Sequence, residues 1–178
     1  MKAQTAAIPI TRAVFHRHGA APDPVARFTE LSVALTGFDA AELWGTGMVQ
    51  PYYAALGAIV GERIVGQLLS KWADVAKQAG SDPERLDALM EVHLFHDDLL
   101  GPVTRNLTML WYLGLWTQLP GDWRNTHGAN AQDTTRYVSG KAYTEGLVWT
   151  AIHSHPQGAK QPGFGSWALP PTTGANHV

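Results

Sequence analysis

The stretch from Val103 to Gln118, VTRNLTMLWYLGLWTQ, constrains this chain more than any other part of it. Val103, Leu107, Leu110, Trp111 and Gly114 recur at helical spacing and form one face. Met109, Tyr112, Leu113 and Trp116 form the opposite face, which is just as apolar. No charged residue lies between Arg105 and Asp122. A helix that is apolar all round has to be buried all round. The run is too short to cross a bilayer, which takes about 20 apolar residues. Two burials remain: the centre of this chain's own core, or a seam between that core and a partner protein.

Composition bears on that choice. Hydrophobic residues make up 45% of the 178, and charged residues only 16%, against about 25% charged in an ordinary globular domain. The deficit suggests that something else covers part of the surface. The length is enough for one domain with a real core. The net charge is −2 with no basic run, so nucleic acid and anionic membrane surfaces are poor partners. The chain has no Cys, which excludes disulfides, thiolate zinc sites and cysteine nucleophiles. No direct membrane span is expected, and the first 22 residues lack the apolar core of a secretory signal.

Along the chain, punctuation residues divide a mainly α domain. Residues 1–22 show no period and are expected to form an extended arm. Asp23-Pro24 opens a helix as cap and first residue, its stripe being Val25, Phe28, Leu31 and Leu35, and Gly37 closes it. Asp39 caps a second helix that Gly45, Gly47 and Pro51 weaken or kink. From Gly61 to Gly80, Ile64, Val65, Leu68, Leu69, Trp72 and Val75 face one way and the charged residues the other. Ser81-Asp-Pro-Glu84 is a capping-box sequence with Ser at the cap, and its helix should run to about Asp98. Residues 119–138 predict a long loop, and Ser139 caps a last short helix through Trp149. The expected architecture is a single-domain helical bundle over 23–152, with a non-helical N-terminal arm and a Pro/Gly-rich C-terminal arm over 153–178. No strand is expected.

The polar constellations are incomplete. His93, His96 and Asp97 share a helical face at spacings that can present metal ligands. A di-iron bundle site would need Glu-x-x-His pairs and further Glu, and these are missing. The plainer expectation is that His93 and Asp97 form a buried pair one turn apart. His153 and His155 flank Ser154 in a loop without a nucleophile-elbow sequence. Neither Gly45-x-Gly47 nor Gly163-x-Gly165 follows a strand, so neither supports a dinucleotide site. A small helical metal-binding enzyme built on His93, His96 and Asp97 is the alternative function. Seven Trp and five Tyr point instead to contact area. Trp123, Trp149 and Trp167 stand in or beside loop sequence, where a core role is harder to arrange.

Four stretches in order carry a resemblance: Phe28-Thr-Glu-Leu-Ser-Val-Ala-Leu-Thr-Gly37, Leu110-Trp-Tyr-Leu-Gly114, Ala142-Tyr-Thr-Glu-Gly-Leu147 and Gln161-Pro-Gly-Phe-Gly-Ser-Trp-Ala168. The series, over about residues 28–168, resembles the small (γ-type) subunit of bacterial FAD-dependent sugar and polyol dehydrogenase complexes, such as those acting on sorbitol, fructose or glucose. The resemblance implies a non-catalytic, chaperone-like accessory subunit with no cofactor of its own. The FAD would sit in a large subunit of the glucose-methanol-choline type, and a multihaem cytochrome c subunit often accompanies it. Small subunits of that family commonly carry a twin-arginine export signal, but Thr11-Arg-Ala-Val-Phe15 departs from that pattern. The complex would be periplasmic if co-exported with its partner and cytoplasmic otherwise. Trp111, Tyr112, Trp116, Trp149, Phe164 and Trp167 are the residues expected at the partner interface.

Overall fold

The Asp23 carboxylate accepts the Val25 N–H at 3.1 Å and starts α1 (Pro24–Thr36), which ends at Gly37 in the left-handed conformation, φ 76°. These and the following elements belong to a computed structural model that describes residues 23–128 and 130–156. The arm expected over 1–22, and that over 153–178 beyond Pro156, lie outside the described residues.

The second helix is divided as Gly47 suggests. α2 (Ala40–Gly45) opens with a full capping box between Asp39 and Glu42, and α3 (Val49–Val60) follows a turn at Gly47 with φ 68°. Pro51 falls in the first turn of α3, where its missing N–H is not needed. α4 (Glu62–Ala79) is the amphipathic helix read from the sequence and stops at Gly80. α5 (Pro83–Met90) is capped by Asp82, which accepts from the Arg85 N–H, and not by Ser81. Pro83 then takes the first helical position, which favours the cap directly before it. α5 does not continue regularly to Asp98: residues Glu91–Phe95 form a π-helical turn.

α6 (Leu100–Leu113) is the central helix, and it is shorter than its apolar run. Gly114 ends it with φ 69°. Leu115–Trp116 then form β1, paired antiparallel with β2 (Arg136–Tyr137) in a two-stranded ladder that the sequence did not suggest. The expected loop over 119–138 also contains α7 (Gly121–His127). Ser139 caps α8 (Gly140–Thr144), its hydroxyl accepting from the Ala142 N–H, but a second helix, α9 (Leu147–Ala151), is needed to reach Trp149.

The core sits where α1, α3, α4 and α6 meet. Phe28, Leu31, Tyr52, Leu56, Ile59, Leu68, Trp72, Leu107 and Trp111 are all buried there. α1 also buries three hydroxyls. Thr29, Ser32 and Thr36 each donate to the carbonyl four residues earlier, so their polar atoms enter the core satisfied. Among the described residues the architecture is mainly α, a single domain with one small ladder.

α6 is not buried all round. Val103, Thr104, Leu107, Leu110 and Trp111 face the core, while Arg105, Met109 and Leu113, four residues apart, form an exposed strip. Trp116 does not belong to the helix. It is fully buried in β1, beyond the turn that Gly114 makes.

Candidate functional site

Three of the four stretches that carry the resemblance meet at the C-terminal end of α6. The Trp111 indole N–H donates to the Ser32 hydroxyl at 2.9 Å, and its ring stacks on Phe28 with centroids 6.3 Å apart. The Tyr112 hydroxyl donates to the Thr36 carbonyl at 2.8 Å, and Phe38 packs edge-on against its ring. These contacts join the first stretch to the second. Glycines join the second to the third. A Cβ at Gly114 would collide with the Ala142 carbonyl, and one at Gly146 would come within 2.7 Å of the Tyr112 carbonyl oxygen. The α8–α9 hairpin therefore lies backbone to backbone on the end of α6. The fourth stretch, with Phe164 and Trp167, lies outside the described residues.

Beside this junction runs an open groove of about 360 Å³ between α2 and the α8–α9 hairpin. Phe38, Glu42, Glu145, Leu147, Trp149 and His155 are among its lining residues, and Pro156 closes it where the described chain ends. Along the hairpin three aromatic rings form a ladder. Tyr137 meets Tyr143 edge-on at 5.8 Å, and Tyr143 meets Trp149 in the same way at 5.5 Å. The Trp149 indole N–H donates to the Tyr143 carbonyl at 2.8 Å, which fixes the ladder's end.

The expected interface residues separate into two groups. Trp111 is 1% exposed and Trp116 0%, so both spend their surface inside the chain and offer none to a partner. Helical periodicity assigns Trp111 to a face without saying what covers it, and Trp116 lies past the helix end. Tyr112 and Trp149 are half-buried and reach the surface. Trp123, taken from sequence as a loop residue, is core: its indole N–H donates to the Leu99 carbonyl at 2.8 Å.

The candidate metal ligands do not converge. The Asp97 carboxylate accepts from the Leu99 and Leu100 N–H groups at 3.0 and 2.7 Å and so caps the start of α6. Among the described residues no hydrogen bond joins it to His93, and the expected His93–Asp97 pair does not form. The π-helical turn changes the rotation per residue between them, so α-helical spacing no longer sets their direction. His96 points out to Glu91, with 3.2 Å between Nε2 and Oε1. Among the described residues no group of three His, Asp or Glu side chains is placed to hold a metal ion.

One polar centre went unseen in the sequence. Asp133 is 2% exposed, and its carboxylate accepts from the Trp116 indole N–H at 2.9 Å and the Leu119 N–H at 3.1 Å. Arg124 Nε lies 3.2 Å from its other oxygen. This carboxylate gathers β1, the chain after it and α7 into one unit. Its signal in sequence was only an Asp in a polar loop, since its partners lie 14 and 17 residues away. No family model, characterised protein or solved structure matches the chain.

Proposed function

We propose that this chain is the non-catalytic small subunit of an FAD-dependent sugar or alcohol dehydrogenase complex, binding and stabilising a large subunit of the glucose-methanol-choline type. The supporting observation is the meeting of Phe28–Gly37, Leu110–Gly114 and Ala142–Leu147 at one junction. Stretches that resemble one family in order, yet lie far apart in sequence, here depend on each other's geometry. In this reading the FAD belongs to the large subunit, and a multihaem cytochrome c subunit would take its electrons where the complex has one. Phe164 and Trp167 would anchor the chain to the large subunit. The complex would be periplasmic if co-exported and cytoplasmic otherwise.

The test is co-expression with a flavoprotein large subunit of the glucose-methanol-choline type. The expected result is co-elution of both chains with flavin absorbance, and dye reduction by a sugar or polyol only in the complex. A chain that stays monomeric and never co-elutes with the flavoprotein would sink the proposal.

A further inference from the structure

A small cleft of about 220 Å³ opens where the start of α1, α3 and the first turns of α4 come together. Its lining is apolar at Pro24, Val65 and Leu69, and polar at Arg27, Tyr53 and Glu62. Among the described residues no hydrogen bond or ion pair engages the Arg27 guanidinium, the Tyr53 hydroxyl or the Glu62 carboxylate. Two opposite charges thus line one small space without pairing with each other. A Cβ at Gly57 would stand 2.5 Å from Glu62 Oε1, so it is a glycine that gives this carboxylate room against α3. The Tyr53 ring is set edge-on against Phe28 at 5.6 Å. Burial, then the charges of Glu62 and Asp23, push its phenol above the ordinary 10.0, so at neutral pH it keeps its proton and can donate it.

Gly66 is the second observation. It lines the same cleft from inside α4, where glycine is less favourable than alanine. Its backbone is not left-handed, and a Cβ there would meet nothing within 4 Å. Neither conformation nor packing within the chain calls for the missing side chain, whereas a ligand lying close to the helix backbone would. A ligand with one charge would meet a like charge in this cleft, and a zwitterion meets an opposite charge at each end. The volume is the share of roughly seven waters, below the range of about 300–1,000 Å³ for drug-sized ligands. We propose that the cleft binds a free α-amino acid with an aliphatic side chain, its carboxylate on Arg27, its ammonium on Glu62 and its side chain against Val65 and Leu69. This does not rest on the function proposed above.

The experiment titrates the ¹⁵N-labelled full chain with L-leucine and follows the amide resonances of Arg27 and Gly66. Saturable shifts are expected, with a dissociation constant of about 1 mM or below. Two further probes keep the side chain and drop one charge each: 4-methylpentanoate lacks the ammonium, and 3-methylbutylamine lacks the carboxylate. Each should bind about tenfold more weakly or worse, as should L-leucine to Arg27→Gln and to Glu62→Gln, since each loses a charge-assisted hydrogen bond. Gly66→Leu fills the cleft. It should raise the melting temperature, because the helix gains a better former in open space, and abolish binding. Those opposite directions separate a blocked site from a damaged fold. No saturable shift up to about 10 mM, equal binding of the three probes, or wild-type binding by Gly66→Leu would each overturn the proposal. A lower melting temperature in Gly66→Leu would show that the space is already filled in the folded chain, and the site would fall with it.

Discussion

The helices α1, α3, α4 and α6 and the segment from Leu115 to Ala151 are built on different principles. The four helices bury continuous apolar stripes, and any one contact is backed by many others. The later segment has short elements that bury little by themselves. It is held at a few points: the Asp133 carboxylate, indole N–H groups on main-chain carbonyls, and Gly114 and Gly146 against neighbouring backbone. A stripe spreads its energy over area and tolerates small changes. A point anchor concentrates its energy in one group, so its loss leaves buried partners unsatisfied.

The largest expected effect breaks the first region. Trp111→Ala removes a ring that packs on Phe28 and Tyr52 and leaves the Ser32 hydroxyl without its donor. It should cost about 3–5 kcal/mol, the usual range for an aromatic core truncation. Chemical denaturation measures this, and hydrogen exchange should show protection falling across α1, α3, α4 and α6 together. A loss below about 1 kcal/mol would mean that α6 is not the centre of the core.

Asp133→Ala tests the second region. It strands the buried Trp116 indole N–H and Leu119 N–H, removes the ion pair with the part-exposed Arg124, and should cost about 3 kcal/mol, mostly from the two buried donors. The contrast with Trp111→Ala lies in where protection is lost. Exchange should rise over residues 115–138 and leave α1 and α4 close to wild type. A uniform rise across the chain would show that the two regions are one cooperative unit. A smaller version of the same test is Asp97→Ala, which removes the cap at the start of α6 and should cost about 1 kcal/mol. The melting temperature reads it. A loss of more than about 3 kcal/mol would reopen a larger role for this carboxylate.

The same contrast explains what was legible in the sequence. α1 and α4 could be placed from Asp23, Gly37, Gly61 and Gly80, because caps and periodicity are local signals. The end of α6 could not be placed, since the apolar run continues through Trp116 while the backbone turns at Gly114. The apolar character there serves a strand as well as a helix, and only the partner strand at Arg136–Tyr137 decides. α7 and β2 are hidden because the contacts around them, the pairing of β2 with β1 and the bonds of Asp133 to Trp116 and Leu119, join residues far apart in sequence. α-helical spacing does not place His93 against Asp97 because the chain between them is π-helical. At the α6 junction Tyr112 could be picked out as an aromatic, but its bond to Thr36, 76 residues away, could not.

The smallest effect concerns Tyr52, where the stripe contains an unsatisfied point. Its ring is fully buried and meets Trp111 edge-on at 4.9 Å, but its hydroxyl has no hydrogen-bond partner among the described residues. A buried hydroxyl without a partner opposes folding, so removing it should not weaken the protein. Tyr52→Phe keeps the ring contact and should change stability at neutral pH by less than about 1 kcal/mol, in the stabilising direction. Alkaline pH magnifies the difference. Burial, and secondarily the charge of Glu145, push the Tyr52 phenol well above its ordinary value of 10.0. Below that value the phenol is protonated in both the folded and the unfolded chain, and it contributes no pH dependence. Above it the unfolded chain releases the proton while the folded chain still holds it, so wild-type stability falls as pH rises. Tyr53 is shifted in the same direction, by burial first and then by Glu62 and Asp23, so a slope in the wild type alone does not identify Tyr52. The readout is the difference between the wild type and Tyr52→Phe in denaturation at about pH 8 and about pH 11, on either side of the ordinary phenol range. The variant should lose less stability between the two. Equal losses would mean that Tyr52 ionises as freely in the folded chain as in the unfolded one, and a marked loss at pH 8 would mean that its hydroxyl is bonded after all.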